Sequence, residues 1–266
     1  MRTKLTLQEL LKAHTDVFAW TTAHMTGVLR SIIVGGKIFN TEHRVNESKH
    51  VEPVKQKKRS LASKRDEAIH TQLCIDFTDI NKACSKENHP LPATESKVEN
   101  IHRHRFKCFL DVYKEYHQIL ITEKDEEKMA FYRREGVFCY KRLPFGPKNA
   151  RATYQRLINN VFGCQVGQNM EVNADEMVIN IDSKEEMLVD IKETLERLQV
   201  ITLKFDPKKS SFGVEEGRFS EHLIKKQGIK ADPSKVKAIS YLQPPKSVIK
   251  IQSTTLSPVY SVHTYI

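Results

Sequence analysis

The sequence predicts an α+β fold in which helices flank an antiparallel sheet. Three features indicate this class: short runs of alternating apolar residues, longer runs with apolar residues at helical spacing, and the absence of an internal repeat. Their order is strands, a helix, a hairpin, a second helix and further strands, which is typical of α+β domains. Hydrophobic residues form 39% of the 266 residues, so the chain can bury the core of one large domain or two small ones.

The run at residues 169–182, NMEVNADEMVINID, is the centre of the predicted sheet. Apolar residues alternate on both sides of Asp175 and Glu176, which predicts two strands joined by a turn over residues 173–176. Neighbouring carboxylates at a hairpin tip repel each other unless a cation or water compensates them, and a divalent ion with oxygen ligands is suited to this. A solvated acidic turn is the alternative interpretation.

The chain before this hairpin predicts a helix over residues 5–17, capped by Thr6, and carries a basic run at residues 55–59. The basic run is interpreted as a solvated linker, as a strip that contacts phosphates, or as a chance match to a nuclear-import signal. The next predicted elements are a strand over residues 73–77, a turn over residues 78–81 and a helix over residues 94–102.

The strand predicted over residues 106–111, FKCFLD, ends on Asp111. A carboxylate where a buried strand meets a turn either takes part in chemistry at the edge of the sheet or caps the turn that follows. Three strand-like runs come next, QILI, KMAFY and VFCYKRLPF, before a helix that begins near Lys148 and ends at Gly163.

The C-terminal part predicts a helix over residues 184–200, with Ser183 and Glu186 as a capping box. The elements predicted after it are a strand over residues 201–205, a strand pair over residues 211–214 and 218–224, and a helix over residues 232–242. The tail from residue 253 shows no period of either kind.

The net charge of +10 attracts the chain to polyanions, of which nucleic acid is the first candidate and an anionic membrane surface the second. No apolar run approaches the roughly 18 residues of a membrane span, and the N-terminus lacks the apolar core of a secretory signal. The five cysteines form no CxxC pair, so neither a disulfide framework nor a zinc site is expected. We therefore expect an intracellular protein, cytoplasmic or nuclear, with no membrane partner.

Two aspartates, Asp111 and Asp175, each follow an apolar strand. Because neighbouring strands lie about 4.8 Å apart, the two carboxylates are close enough to share a pair of metal ions. Magnesium ions held in this way would orient a triphosphate and activate an attacking hydroxyl. A basic protein with such a site suggests nucleotidyl transfer, and a magnesium-dependent nuclease is the alternative from the acids alone.

Several ordered stretches carry a resemblance to a known family: LLKAHTDVFAW, CIDFTDINKACSKENHPLP, FLDVYKEYHQI, EEKMAFYRREGVFCYKRLPFGPKNARATYQRLIN, NMEVNADEMV and LKFDPKKSSFGVEEGRF. Through them the chain resembles the reverse transcriptase of plant Ty3/gypsy-type retrotransposon Pol polyproteins. The resemblance implies a right-hand polymerase of fingers and palm with a partial thumb. It implies an N-terminal connector and the start of the fingers at residues 1–69, fingers and palm at residues 70–226, and a partial thumb with an unmatched tail at residues 227–266.

The resemblance also implies a site. Asp111, Asp175 and Glu176 would be the catalytic acids, and Asp111 and Asp175 would bind Mg²⁺, with Mn²⁺ as a possible substitute. The implied reaction is RNA-directed DNA synthesis, whose partners are an RNA or DNA template–primer and a dNTP. The sequence does not indicate an oligomeric state.

Five further residues take implied roles around these acids. Tyr116, Phe145 and Gly146 would border the nucleotide, with Tyr116 screening the 2′ position of its sugar. Tyr154 and Gln155 would lie on the helix that supports the template. The alternative is that the three aromatic residues are ordinary members of the core.

The chain departs from the family pattern within the motifs. Asn173 and Glu176 stand where the family has Tyr and Asp, Glu115 places a charge beside the acids, and Ser220 is one of several polar residues in a strand that is apolar in the family. A buried polar group without a partner costs about 1–3 kcal/mol.

The largest departure is a gap between Ala68 and Leu73, where the family has roughly thirty more residues, including a basic fingers hairpin that grips the triphosphate. Since positioning supplies most of the catalysis in phosphoryl transfer, the chain reads as a truncated and degenerate member with impaired activity. Two alternatives stay open: a nucleic-acid-binding remnant without chemistry, and a decayed product that does not fold stably.

Overall fold

The computed structural model describes residues 2–48, 50–51, 76–87, 94–133, 136–231, 236–237 and 240–241. The basic run, most of the strand predicted over residues 73–77, the shortened fingers segment and more than half of the predicted helix over residues 232–242 lie outside these ranges. Within them, helices and antiparallel strands combine in one α+β arrangement, which confirms the predicted class. The boundaries predicted at residues 69 and 226 stay predictions.

The helices of the described chain are α1 (Arg2–Ala13), α2 (Thr78–Ala83), α3 (Thr94–Arg103), α4 (Glu123–Glu126), α5 (Ala150–Phe162) and α6 (Lys184–Ile201). The strands are β1 (Ser31–Val34), β2 (Lys37–Asn40), β3 (Phe106–Asp111), β4 (Ala130–Arg133), β5 (Gly136–Cys139), β6 (Met170–Asn173), β7 (Glu176–Ile181), β8 (Ser211–Val214), β9 (Gly217–Phe219), β10 (His222–Lys225) and β11 (Gly228–Ala231). None of the described helices is long and apolar enough to cross a membrane.

A four-stranded sheet in the order β6-β7-β3-β8 forms the centre of the molecule. Its neighbouring strands are all antiparallel, and β3 pairs with β7 from Phe106 opposite Ile181 to Asp111 opposite Glu176. Side chains alternate between two apolar layers. Leu110, Met177 and Ile179 belong to the main core with α5 and α6, whereas Phe109 and Val178 belong to a smaller core with α3, β9 and β10.

Three helix predictions, over residues 94–102, 148–163 and 184–200, are confirmed by α3, α5 and α6, because local signals set these helices. The Ser183 hydroxyl accepts the amide of Glu186 at 3.2 Å, which caps α6 as the capping box predicts, and α5 has Gly163 as its C-terminal cap. The helix predicted over residues 5–17 divides into α1 and a short 3-10 helix, Thr15–Val17. Its predicted cap, Thr6, lies inside α1, which begins at Arg2.

Two strand predictions near the core are wrong. Residues 201–205 end α6 and then run as an extended segment whose Phe205 forms only isolated bridges with Phe18 and Val112. Ile201, Leu203 and Phe205 alternate because they cover the core, not because they pair in a ladder. The run QILI, residues 118–121, is likewise not a strand. Gln118 ends the 3-10 helix Glu115–Gln118, and Leu120 and Ile121 each form one isolated β-bridge.

The C-terminal strands pair differently from the prediction. The strand β8 pairs with β3, and the run predicted as one strand over residues 218–224 is broken into β9 and β10 by a turn at Ser220 and Glu221. Both turn residues have positive φ, +47° and +71°, which matches the tight hairpin turn that two such residues form. Together with β11 they make a separate three-stranded sheet.

A buried histidine fastens the N-terminal segment to α5. His43 is 2% exposed, and its Nδ1 lies 2.8 Å from the hydroxyl of Thr153. Burial lowers the pKa of His43 to about 4, so the ring is neutral at pH 7.

This shift makes the fold sensitive to acid. Between pH 6.5 and 4 the unfolded chain protonates His43 while the native chain does not, so stability is lost as the pH falls through this window. We expect the free energy of unfolding of the wild type to fall between pH 7.5 and 4.5 by about 2–3 kcal/mol more than that of His43→Gln. Urea unfolding at both pH values measures this, with His24→Gln, at an exposed position, as the control. Parallel pH dependence of wild type and His43→Gln would contradict it.

Candidate active site

The ends of β3 and β7 bring the two predicted aspartates together. Asp111 is the last residue of β3 and lies opposite Glu176, the first residue of β7. Asp175 precedes Glu176 in the turn, and its carbonyl accepts the amide of Val112 at 2.9 Å. The sheet therefore places Asp111, Asp175 and Glu176 at one edge, as the sequence predicts.

The hairpin turn between β6 and β7 is tighter than predicted. Asn173 and Glu176 pair across the strands, which leaves only Ala174 and Asp175 in the turn. Ala174 adopts φ +52°, a left-handed conformation that a non-glycine residue takes at some cost. Asp175 thus lies at the tip of a two-residue turn.

The Asp111 carboxylate is paired with a lysine of the same chain. The Lys209 ammonium lies 3.1 Å and 3.3 Å from the two carboxylate oxygens, and the Asp111 carbonyl accepts the amide of Asp206. Burial raises the pKa of the Asp111 carboxyl, and Lys209 opposes this. The Lys209 side chain is 61% exposed, so it is able to move away from the acid.

A further carboxylate, Glu115, lies at the start of the 3-10 helix that follows β3. It is only 8% exposed. Burial, with the nearby charge of Asp175 and then of Asp111, raises the pKa of Glu115 to about 7. Glu115 is therefore a further acid close to Asp111 and Asp175, and ionising its carboxyl group is unfavourable.

The predicted nucleotide-pocket residues form an aromatic cluster beside the acids. The ring of Tyr116 packs edge-on against Phe145 and Tyr154, at centroid distances of 5.1 Å and 6.3 Å. Tyr154 is 1% exposed, and its hydroxyl has no hydrogen-bond partner among the described residues. Phe145 is 55% exposed and forms the open side of the cluster. The cluster is thus part core and part surface.

Gly146 shapes the turn that follows Phe145. It has φ +115°, and a Cβ there would lie 2.8 Å from the ring of Phe77, so only glycine fits without strain. Asn81 clamps this turn by donating to the Gly146 carbonyl at 2.9 Å and accepting the amide of Lys148 at 2.7 Å. The turn predicted over residues 78–81 is wrong, because these residues begin α2, and no signal in the sequence indicates that Asn81 contacts the turn around Gly146.

The second template residue points into the protein. Gln155 is 4% exposed and donates to Asn159 one helical turn later, at 2.9 Å. Its neighbour Tyr154 is likewise buried, so both side chains belong to the interior of the described chain, and their role toward a template stays a prediction.

The donor set at this edge fits one kind of metal ion. In the part of the chain that the structure describes, no three acidic, histidine or cysteine side chains are arranged to hold a metal ion. Proteins usually bind Mg²⁺ through one or two carboxylates, while phosphates and water complete its coordination shell. Asp111 and Asp175 provide two such carboxylates. The two aspartates therefore fit an ion that arrives with a triphosphate, and they do not form an all-protein cage.

The Glu115 charge gives a stability prediction. Because its pKa is raised from 4.5 to about 7, the native state keeps a proton that the unfolded chain loses, and stability falls as the pH rises through this window. Glu115→Gln is expected to stabilise the chain by about 2–3 kcal/mol at pH 8.5 and by little at pH 4.5. Urea unfolding at the two pH values tests this, and Glu99→Gln, at an exposed position on α3, serves as the control. An equal effect at both pH values would refute it.

The sequence of this chain is similar to those of known proteins. Residues 56–245 match the profile of the family described as "Reverse transcriptase (RNA-dependent DNA polymerase)". The "Retrovirus-related Pol polyprotein from transposon gypsy" of Drosophila melanogaster is 31% identical over 182 residues, which are 68% of this chain and 18% of that protein. The "Transposon Tf2-3 polyprotein" of Schizosaccharomyces pombe is 26% identical over 176 residues, covering 66% of this chain and 13% of that polyprotein. The chain thus spans less than a fifth of these relatives.

Solved structures share the fold. A foamy viral protease–reverse transcriptase in complex with double-stranded DNA superposes with a TM-score of 0.77, at 17% identity, over 95% of this chain and 48% of that one. The foamy viral enzyme in complex with an RNA/DNA hybrid gives a TM-score of 0.76, at 15% identity, over 95% of this chain and 37% of that one. At these identities the likeness is one of fold.

Proposed function

The chain belongs to the reverse transcriptase family, and from this premise we propose that it is a fingers-and-palm domain that binds a primer–template and has weak RNA-directed DNA polymerase activity. The observation that carries the proposal is the pairing of β3 with β7, which sets Asp111 and Asp175 at one sheet edge. The net charge of +10 supports a polyanionic partner. The relatives support a source in a Ty3/gypsy-type Pol polyprotein.

The chemistry of the site follows from its groups. Asp111 and Asp175 would hold Mg²⁺, with Mn²⁺ as a substitute, and such an ion supplies charge stabilisation to the triphosphate and acidifies an attacking hydroxyl. Phe145 and Gly146 would border the nucleotide, and Tyr116, whose ring packs edge-on against Phe145, would screen the 2′ position of its sugar. A dNTP is the nucleotide that the proposal assigns to this pocket.

Two contacts support weak rather than full activity. Lys209 is paired with Asp111, so a divalent ion must compete with an ammonium group. Glu115 adds a buried acid whose ionised form repels the phosphates of a nucleotide. The Lys209 pair stabilises the free protein and the Glu115 repulsion destabilises the nucleotide-bound state, so both effects weaken nucleotide binding.

A second candidate is nucleic-acid binding without chemistry. It is favoured by the same Lys209–Asp111 pair, which neutralises the first acid without a metal ion. Such binding would weaken steeply with salt, because basic residues would release counterions from the phosphates.

Two finer points also belong to the proposal. The stretches quoted above favour a plant element, whereas the relatives reported come from a fly and a fission yeast. An intracellular site of action, cytoplasmic or nuclear, is proposed because template and dNTPs are found there.

Extension of a primed RNA template by the full chain in Mg²⁺ tests the polymerase proposal. We expect slow incorporation of dNTPs that Asp111→Ala reduces by at least about a hundredfold, since it removes a carboxylate of the candidate metal site. Lys208→Ala, beside the active-site lysine but outside the Asp111 pair, is the matched control and is expected to retain activity.

Incorporation that survives Asp111→Ala would refute the site assignment. Salt-sensitive binding without incorporation, from protein that unfolds cooperatively, would favour the binding function. Protein without a cooperative transition would point to a chain that does not fold stably.

A further inference from the structure

Glu176 is held by a residue outside the central sheet. Its Oε2 accepts the backbone amide of Ser220 at 2.6 Å, and the side-chain amide of Asn173 donates to the Ser220 hydroxyl, also at 2.6 Å. Asn173 and Glu176 face each other across β6 and β7 on either side of the Ala174–Asp175 turn. The two residues that flank the hairpin turn, Asn173 and Glu176, therefore both contact Ser220.

The strand alternation explains why this residue is within reach. Glu176 lies two residues before Val178, so it shares the sheet face that packs against α3, β9 and β10. On that face Phe219 is fully buried against the small core, and Ser220 comes directly after it. The buried ring thus fixes the start of the β9–β10 turn beside the tip of the acidic hairpin.

The turn is shaped to make these contacts. Ser220 and Glu221 have positive φ, and the Ser220 carbonyl lies 2.7 Å from Nδ1 of His222, which donates to it in the tautomer that carries hydrogen on Nδ1. The amide and hydroxyl of Ser220 are thereby left to Glu176 and Asn173. Ser220 and His222, polar residues in a run that is apolar in the family, therefore both make hydrogen bonds in the folded chain.

We propose that Glu176 is a positioning residue, which docks the β9–β10 turn on the acidic hairpin and fixes Asp175, and that Asp111 and Asp175 alone are the metal-binding carboxylates. We name the three residues Asn173, Glu176 and Ser220 the hairpin latch. The metal part of this inference rests on the proposed function, whereas the latch itself does not. It reassigns Glu176, which the sequence places among the catalytic acids.

Two substitutions separate the length of the Glu176 side chain from its charge. Glu176→Gln keeps the length and an oxygen acceptor for the Ser220 amide, whereas Glu176→Asp keeps the charge and is one methylene too short to reach it. Amide hydrogen exchange at residues 218–222, followed by mass spectrometry on the full chain, reads the latch directly. The β10–β11 turn at residues 226–227 is the internal control.

We expect exchange at residues 218–222 to accelerate at least about fivefold in Glu176→Asp and to stay within about twofold of wild type in Glu176→Gln, with residues 226–227 unchanged in both. Ser220→Ala keeps the amide and loses the contact to Asn173, so it gives a smaller acceleration. Equal exchange in wild type and Glu176→Asp would overturn the latch.

Binding of a Mn²⁺–dNTP complex, followed by electron paramagnetic resonance, tests the metal part. We expect Glu176→Gln to bind within about threefold of wild type and Asp175→Asn to bind at least about tenfold more weakly. Equal losses in the two variants would overturn the assignment and make Glu176 a ligand. If the wild type does not bind the Mn²⁺–dNTP complex, the metal site of the proposed function fails, and the exchange experiment still decides the latch.

Discussion

The antiparallel pairing of β3 with β7 is the constraint on which the site depends. It joins two segments that are more than sixty residues apart in the chain, and its register places Asp111 opposite Glu176. Because side chains alternate along a strand, a slip of one residue would exchange the two faces, moving Leu110 and Met177 out of the main core. The apolar layers on both faces therefore fix the register that gathers the acids.

The gathered acids create an electrostatic problem that the chain answers with its own groups. Lys209 neutralises Asp111, the Ser220 amide satisfies Glu176, and Glu115 reaches a pKa of about 7 because burial and nearby charge disfavour its ionised form. These groups lie on separate elements after β3, after α6 and between β9 and β10. Groups of the chain thus compensate Asp111 and Glu176 or disfavour the charge of Glu115, which is consistent with two aspartates that bind an ion only together with a triphosphate.

Patterns in the sequence predicted correctly those helices and strands whose formation depends on neighbouring residues in the chain. The Ser183 cap set α6, the apolar run at residues 106–111 set β3, and the alternation around Asp175 set the hairpin. The same kind of pattern failed at residues 201–205, where alternation reflects burial of single residues, and at residues 78–81, where Asn81 clamps the turn around Gly146. Periodicity records which residues are buried, and it does not record which partner a backbone finds.

Residue type and spacing along the chain were enough to predict the α+β class, the family resemblance and the placement of Asp111 and Asp175 at the ends of two strands. The partners of these acids could be identified only in the folded chain. Neither Lys209 beside Asp111 nor Ser220 beside Glu176 carries a signal in the sequence, since each contact joins residues about 98 or 44 positions apart through the packing of separate elements. Such contacts depend on register, turn geometry and the burial of Phe219, which the folded chain sets together.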